Sequence, residues 1–397
     1  MPAINDDTIY LDHAATTPLL PAVLEAMLPY LSQEYGNPSS IYRAGQDGKS
    51  AIERSRRQAA AAIGCHPSEI VFTSGATESD NLALSGVLWH SRLKNASEAP
   101  PHLIVSAVEH HAVLHTAEFL ERQGFALTIV PVDAEGLVDP EVVRAAIRPE
   151  SRLISIMMAN NEVGAIQPIA EIGEIARAAG VPLHSDAVQA AGALPIKVDD
   201  LNVDLISLSA HKFRGPKGVG LLYVRKGTPI EWMQLGGGQE GGRRGGTENV
   251  AGIVGMGTAI ELAEQTRDAH VAHLAEMRNA LWTQLQETID DIDLNGPSDF
   301  SRRLPNNLNV AIRGVQGETV LLALDMIGIA ASAGSACTTG NSEPSHVLLA
   351  MGQSESRARS SIRFSVGEST TLDQIEEVVE GLQEIVERSR RIAGARS

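Results

Sequence analysis

A lysine and an aspartate each stand at the end of an apolar run. Ser209-Ala-His-Lys212 follows the stretch Val203 to Leu208, and Val181-Pro-Leu-His-Ser-Asp186 closes on a carboxylate. An amine and an anion delivered to the ends of two core strands are what pyridoxal phosphate requires. The amine forms a Schiff base, and the anion keeps the pyridine nitrogen protonated. A lone lysine after a strand is usually a surface residue, and a lone aspartate is usually a helix cap or a buried acceptor. The pairing, with glycines after the lysine at Gly215 and Gly218, favours the cofactor reading over both. Gln189, one helical turn beyond Asp186, is placed to bond the ring hydroxyl.

Other segments carry weaker signals. Ser74-Gly-Ala-Thr77 follows a strand and opens a helix, so free N–H groups and the Thr77 hydroxyl make a phosphate cup, or else an ordinary capped turn. Cys337 lies in the small-residue stretch Ala333-Gly-Ser-Ala-Cys-Thr-Thr-Gly340, which suits a thiol that reaches into a cavity and swings out; the alternative is an inert buried thiol. Cys65, just before a strand, reads as structural. His110 at a strand-to-helix junction is suited to stacking on a flat ring and moving protons. His111 and His115 have helical spacing, but no third metal ligand accompanies them, so no metal is expected. Gly236 to Gly241 satisfies GxGxxG without a strand leading into it, which argues against a dinucleotide site. Arg243 and Arg244, followed by Thr247, are expected to form an exposed anion-binding turn.

The elements that must hold these residues alternate. Strands are predicted over Ile70–Thr73, Leu103–Ser106, Leu127–Val130, Leu153–Met157, the segment ending at Asp186, Leu205–Leu208 and Gly220–Val224. Helices are predicted over Thr77–Trp89, Ala112–Gln123, Pro140–Ile147 and Ile169–Ala179. Strand and helix in turn imply an α/β fold with a largely parallel, doubly covered sheet, and ligands in such sheets bind beyond the carboxyl ends of the strands. From about Asn249 the pattern changes to two helical stretches, Val250–Gln265 and His270–Thr288, then a Pro/Asn-rich linker at Leu304 to Asn307. A strand at Leu308–Ile312, a helix at Glu318–Met326, the cysteine segment, a strand at Ile362–Val366 and a terminal helix from Leu372 follow. The expected division is a large domain over 15–255 and a small domain over 1–14 and 256–397.

The bulk properties narrow the partners. The chain has 397 residues, 43% hydrophobic and 20% charged, enough for a sizeable core and more than one domain. Its formal charge of -17 disfavours nonspecific binding to nucleic acid or an anionic membrane. Two distant cysteines argue against a disulfide scaffold, and no stretch approaches the ~18 apolar residues of a membrane span, so a cytoplasmic protein is expected.

The segments Tyr10-Leu-Asp-His-Ala-Ala-Thr-Thr-Pro18, Gly36-Asn-Pro-Ser-Ser40, Thr73-Ser-Gly-Ala-Thr-Glu78, Asn160-Asn-Glu162, His184-Ser-Asp-Ala-Val-Gln189, Ser209-Ala-His-Lys212 and Gly334-Ser-Ala-Cys337 together resemble the NifS/IscS cysteine desulfurases of the class V aminotransferase family, almost end to end. The resemblance implies a fold type I, aspartate-aminotransferase-like homodimer, with a mainly parallel large-domain sheet and a smaller α+β domain carrying the cysteine loop. It implies Lys212 as the Schiff-base lysine, Asp186 as the ring-nitrogen partner and His110 as the stacking imidazole. Ala76, Thr77, Ser209 and His211 would hold the phosphate, and Asn161 and Gln189 the ring substituents. Thr247 would reach the partner subunit's cofactor, and Asn37 and Arg363 would grip the carboxylate of L-cysteine. The implied reaction gives L-alanine and a persulfide on Cys337, with Lys212 or His110 moving the alpha proton. The stretch Cys337 to His346 resembles the long loop of the subgroup that hands sulfur to scaffold proteins, so Fe-S cluster assembly, with Cys337 as a possible cluster ligand, is the implied destination. The chain departs from the family pattern where Gln239-Glu-Gly-Gly242 and Arg244-Gly-Gly-Thr247 stand for Gln-Glu-Arg-Gly and Arg-Ser-Gly-Thr. Selenocysteine lyases and class V aminotransferases share the lysine and aspartate; a thiol at Cys337 separates a desulfurase from a transaminase. A noncatalytic scaffold would have lost one of the three residues, and all are present.

Overall fold

Strand follows helix through the first two thirds of the chain because short, wholly apolar runs are bounded by turn residues and capped helices. The computed structural model describes residues 8–94, 99–333 and 343–394. In chain order the elements are β1 (Ile9–Tyr10), α1 (Pro21–Ser32), α2 (Arg43–Ile63), β2 (Ile70–Thr73), α3 (Ala76–Lys94), β3 (His102–Ser106), α4 (His111–Arg122), β4 (Ala126–Val130), α5 (Pro140–Ala146), β5 (Ser151–Ser155), α6 (Ile169–Ala179), β6 (Leu183–Asp186), β7 (Leu205–Ser209) and β8 (Gly220–Val224). There follow α7 (Val250–Thr288), β9 (Ile292–Asn295), β10 (Asn307–Ile312), α8 (Gly317–Asp325), β11 (Ile329–Ala330), α9 (His346–Ala350), α10 (Glu355–Arg359), β12 (Ser361–Ser365) and α11 (Leu372–Gly394).

The large sheet has the order β2-β8-β7-β6-β5-β3-β4. Only β8 runs against its neighbours β2 and β7, so the sheet is parallel apart from one strand. Every residue of β2, β3, β6, β7 and β8 is buried, as expected for strands covered on both faces. Helix ends follow local chemistry. Gly64 and Gly180 close α2 and α6 at φ 73° and 68°, a left-handed turn that L side chains resist. The chain steps outward from β3 to β4 and then back across β3 to β5, and a crevice opens beyond the strand ends at such a reversal.

A second, antiparallel sheet has the order β12-β10-β9, and β1 pairs with β11 beside it. Its core gathers Leu11, Leu281, Leu285, Leu308, Val310, Phe364 and Leu382, separate from the core around the large sheet. Two expectations need correcting here. The stretches Val250–Gln265 and His270–Thr288 are one unbroken helix of 39 residues that leaves the first core and enters the second. The Pro/Asn-rich linker expected at Leu304 to Asn307 is an internal segment leading into β10: Leu304 and Asn307 are each 1% exposed, and Asn307 is the first residue of that strand.

Candidate active site

A cavity of about 610 Å³ opens beyond the ends of β3, β5, β6 and β7, walled by the N-terminal segment Ala14 to Thr16 and, from the second unit, by His346 and Arg363. The single turn Ala210–Lys212 after β7 swings Lys212 into it. The Lys212 ammonium donates to the carbonyls of Ala14 at 2.6 Å and Ala15 at 2.8 Å. Asp186, at the end of β6, is 5% exposed and accepts from the Val188 N–H at 2.9 Å. Burial pushes its carboxyl up to about 6, against the pull of that N–H and of the Lys212 charge. Gln189 lines the same wall and donates to the Ala14 carbonyl at 3.0 Å.

His110 caps α4: its Nδ1 accepts the Ala112 N–H at 3.1 Å, which leaves the ring proton on Nε2. Burial, reinforced by the Lys212 charge, lowers its pKa to about 4, so the ring is neutral at physiological pH. His211 is lowered to about 4 by the same two causes and shares a 3.1 Å hydrogen bond with Thr16 Oγ1. Ser74 to Glu78, the entry to α3, lines the cavity with Ser209 and Gly218. A Cβ added at Gly75 or at Gly218 would meet nothing within 4 Å, so both glycines border open space at the helix end, where the helix dipole favours an anion. Gly220 is different: a Cβ there would lie 2.6 Å from the Leu208 carbonyl oxygen and 2.7 Å from Gly75 Cα, so only glycine lets β8 pass behind the cup.

Arg363, from the middle of β12, is 2% exposed. It pairs with Asp12 at 2.7 Å and donates to the Asn161 carbonyl at 2.9 Å, while its Nε has no partner among the described residues. Thus Lys212, Asp186, Gln189, His110, Ala76, Thr77, Asn161, Ser209, His211 and Arg363 share one cavity. Thr247 lines a smaller neighbouring cavity of about 160 Å³ with Ser74, Gly218 and Arg244. Asn37 is exposed in the α1–α2 connection, where it accepts from the Ser39 N–H at 2.9 Å, and is not among the residues lining the main cavity. Cys337 lies outside the described residues.

The glycine-rich loop after β8 departs from expectation. Arg243 is turned inward and donates to the Ser68 and Ile70 carbonyls at 2.7 and 2.9 Å, and Arg244 pairs with Glu78 at 2.9 Å, so neither forms an exposed anion-binding turn. Glu240 accepts both terminal nitrogens of Arg56 at 2.8 Å and the Phe72 N–H at 3.0 Å. The unusual glycines suit this anchoring. Gly241 has φ 68°, and a Cβ at Gly245 would lie 2.9 Å from Gly236 Cα, leaving no room for a serine side chain.

Sequence reasoning gave no role to Asp12, Ala14, Ala15, Asp80, Glu162 or His346, all of which line or brace the cavity. Asp12, Ala14 and Ala15 fall within the Tyr10 to Pro18 segment, so its match to a family was the available signal. His111 and His115 stack with ring centroids 4.6 Å apart and planes within 4°, an aromatic pair in parallel. Cys65 packs against the large core, and burial raises its thiol to about 12.

The class-V aminotransferase family model matches residues 9–378. The "Cysteine desulfurase IscS" of Dictyoglomus turgidum is 49% identical over 385 residues, 97% of this chain and 96% of that protein. The chain belongs to the class V aminotransferase family, in its NifS/IscS cysteine desulfurase branch. Among solved structures, a "NIFS-LIKE PROTEIN" superposes on this family member with a TM-score of 0.88 at 36% identity, covering 96% of this chain and 99% of its own. "SspA in complex with cysteine" gives 0.80 at 38% identity, covering 92% and 100%. The architecture is therefore that of the fold type I pyridoxal-phosphate enzymes. The site fits that group: a lysine amine, a buried carboxylate with unused lone pairs, and two glycines facing open space at a helix start stand around one cavity.

Proposed function

We propose that this desulfurase removes the sulfur of L-cysteine to give L-alanine, that Cys337 takes the sulfur as a persulfide, and that acceptors such as an Fe-S scaffold receive it. The observation that carries the reading is the convergence of Lys212, Asp186, His110 and Arg363 on one cavity. Bound pyridoxal phosphate would supply an electron sink, held by Lys212, by Asp186 at its ring nitrogen, and by Thr77, Ser209 and His211 at its phosphate. The chain's own groups do the rest. Arg363 lines the cavity as the group for the substrate carboxylate, and its bond to Asp12 fixes the guanidinium. His110, neutral and with its proton on Nε2, and the amine of Lys212 line the cavity as the two groups that move the alpha proton, the lysine amine taking it and the imidazole N–H able to return one. The Cys337 thiolate forms a bond to the substrate sulfur while the Cβ–S bond breaks; protonation of that carbon completes alanine.

A homodimer is supported by the apolar residues Leu24, Leu28 and Leu31 exposed along α1, with Tyr35 and Ile41 beyond it, and by the position of Thr247 outside its own chain's main cavity. A cytoplasmic setting is supported by the two widely separated cysteines. No helix among the described residues is long and apolar enough to cross a membrane. The test is to reconstitute the protein with pyridoxal phosphate, add L-cysteine together with a reducing thiol that cleaves the persulfide, and assay alanine and sulfide together. Alanine and sulfide in equal amounts are expected, and Cys337→Ser is expected to stop sulfide release while the cofactor absorbance stays. Unchanged sulfide from that variant would remove Cys337 from the reaction.

A further inference from the structure

Asp80 is a buried ionisable group that the reaction above leaves without a task. It lies on α3, one turn beyond Thr77, is 1% exposed and lines the main cavity. Neither of its carboxylate oxygens has a hydrogen-bond partner of good geometry among the described residues; the Ser207 hydroxyl, from β7, faces it and favours its charged form, less strongly than burial disfavours it. The groups facing it offer no positive charge. His184 Nε2, from β6, stands 3.5 Å from Asp80 Oδ1, yet that ring is already held by Ser155 at 2.8 Å and Ser207 at 3.0 Å, and burial drives its pKa down to about 3. Asp186, also from β6, and Glu109, from the segment before α4, face it as like charges. Both raise its pKa further, after burial itself as the larger cause.

Two carboxylates in one dry wall do not both ionise, because each opposes the charge on the other. The charge settles on whichever has donors. Asp186 has the Val188 N–H at 2.9 Å and the attraction of Lys212, whereas Asp80 has the Ser207 hydroxyl alone, at a geometry short of a good hydrogen bond, and no cation. We propose that Asp80 is a positioning residue that holds the proton of a two-carboxylate pair, leaving the pair's single negative charge on Asp186, where a pyridinium nitrogen would meet it. The inference rests on the pyridoxal-phosphate reading of the site. When a cationic ring docks on Asp186, the burial that holds the proton on Asp80 is unchanged, so the ring meets a single negative charge and its own proton is drawn from solvent.

The test uses the full chain stripped of cofactor, with carboxyl-labelled aspartate and infrared spectroscopy at neutral pH. A protonated-carboxyl stretch that shifts with the aspartate label is expected in the wild type and absent from Asp80→Asn, an isostere of the neutral acid. The label separates it from Glu109, whose carboxyl burial also pushes up, to about 8. Rebinding of pyridoxal phosphate is then followed calorimetrically in two buffers of different ionisation enthalpy. Asp80→Asn, which mimics the neutral acid, is expected to match wild-type proton uptake, because Asp80 neither gains nor loses its proton on binding. Absence of the labelled band in wild type, its survival in Asp80→Asn, or an uptake that differs by about one proton between the two would each overturn the proposal. Should the variant fail to fold, the wild-type spectrum decides. Alanine formation from L-cysteine is scored separately, so a failed desulfurase reading and a failed proton assignment are told apart.

Discussion

Replacing Glu240 by alanine removes three acceptor contacts at once from the anchor of the glycine-rich loop. Arg56 loses both of its 2.8 Å bonds, and the Phe72 N–H loses its 3.0 Å partner. The side chains of Arg56 and Glu240 are 7% and 2% exposed, so a guanidinium is left in the interior with only the Ile70 carbonyl at 2.9 Å and the half-exposed Glu53 at 3.2 Å. Breaking a buried pair from one side costs about 3–5 kcal/mol, much more than the ~1 kcal/mol ceiling of an exposed pair. With about 2 °C lost per kcal/mol for a chain of this size, the expected fall in Tm is roughly 6–10 °C by calorimetry. The double variant Arg56→Met with Glu240→Leu is expected to recover most of it, since an apolar pair of similar volume carries no stranded charge. A single-variant cost below ~1 kcal/mol would refute the argument that this pair holds the loop.

Gly220→Ala is expected to keep the fold at a cost of about 1–3 kcal/mol while weakening pyridoxal phosphate binding, because the added methyl would press on Gly75 Cα from 2.7 Å; unaltered cofactor affinity by fluorescence titration would contradict this. Arg363→Lys is expected to raise KM for L-cysteine by about tenfold or more through loss of the planar fork, with kcat less affected, and an unchanged KM would remove Arg363 from substrate binding. His184, lowered to about 3 by burial, binds its proton in the unfolded chain near pH 6.5 but not in the folded one. Folding stability therefore rises with pH across that window and is lost as pH falls through it. His184→Gln is expected to reduce the slope of urea-derived stability between about pH 6 and 4 by ~1.4 kcal/mol per pH unit, and an identical slope would show that the ring is not the neutral buried group described.

The sheet was legible because its strands are continuous apolar runs, and Gly220–Val224 and Ile169–Ala179 appear with the bounds expected from pattern. Strand direction was not legible: the buried residues of β8 carry no sign of running against β2 and β7. The apparent break in α7 has a physical source. Its buried residues cluster at Ala251 to Ile260 and again at Leu274 to Leu285, with the polar middle passing between two cores, so periodicity alone reads one helix as two. Helices α1 and α2 lacked a strong signal because α2 packs on α7 through alanine and glycine positions such as Gly48, Ala51 and Ala59, with few large side chains. Lys212, Asp186 and His110 were legible because each ends or follows an apolar run. Asp80, Glu240 and the Arg363–Asp12 pair were not, because their meaning lies in neighbours far away in the chain.

Helix α7, at 39 residues, is about 58 Å long, and it is the common axle of both halves of the molecule. Any rocking of the smaller half must be absorbed as bend or twist along one uninterrupted backbone ladder, since no flexible joint interrupts it. Large swings are thereby resisted, and a change in the grip of Arg363 on its ligand is transmitted as small elastic tilts. A split-gene version severed at the polar seam between the halves would leave each half-rod with its own buried cluster and a new, uncapped end.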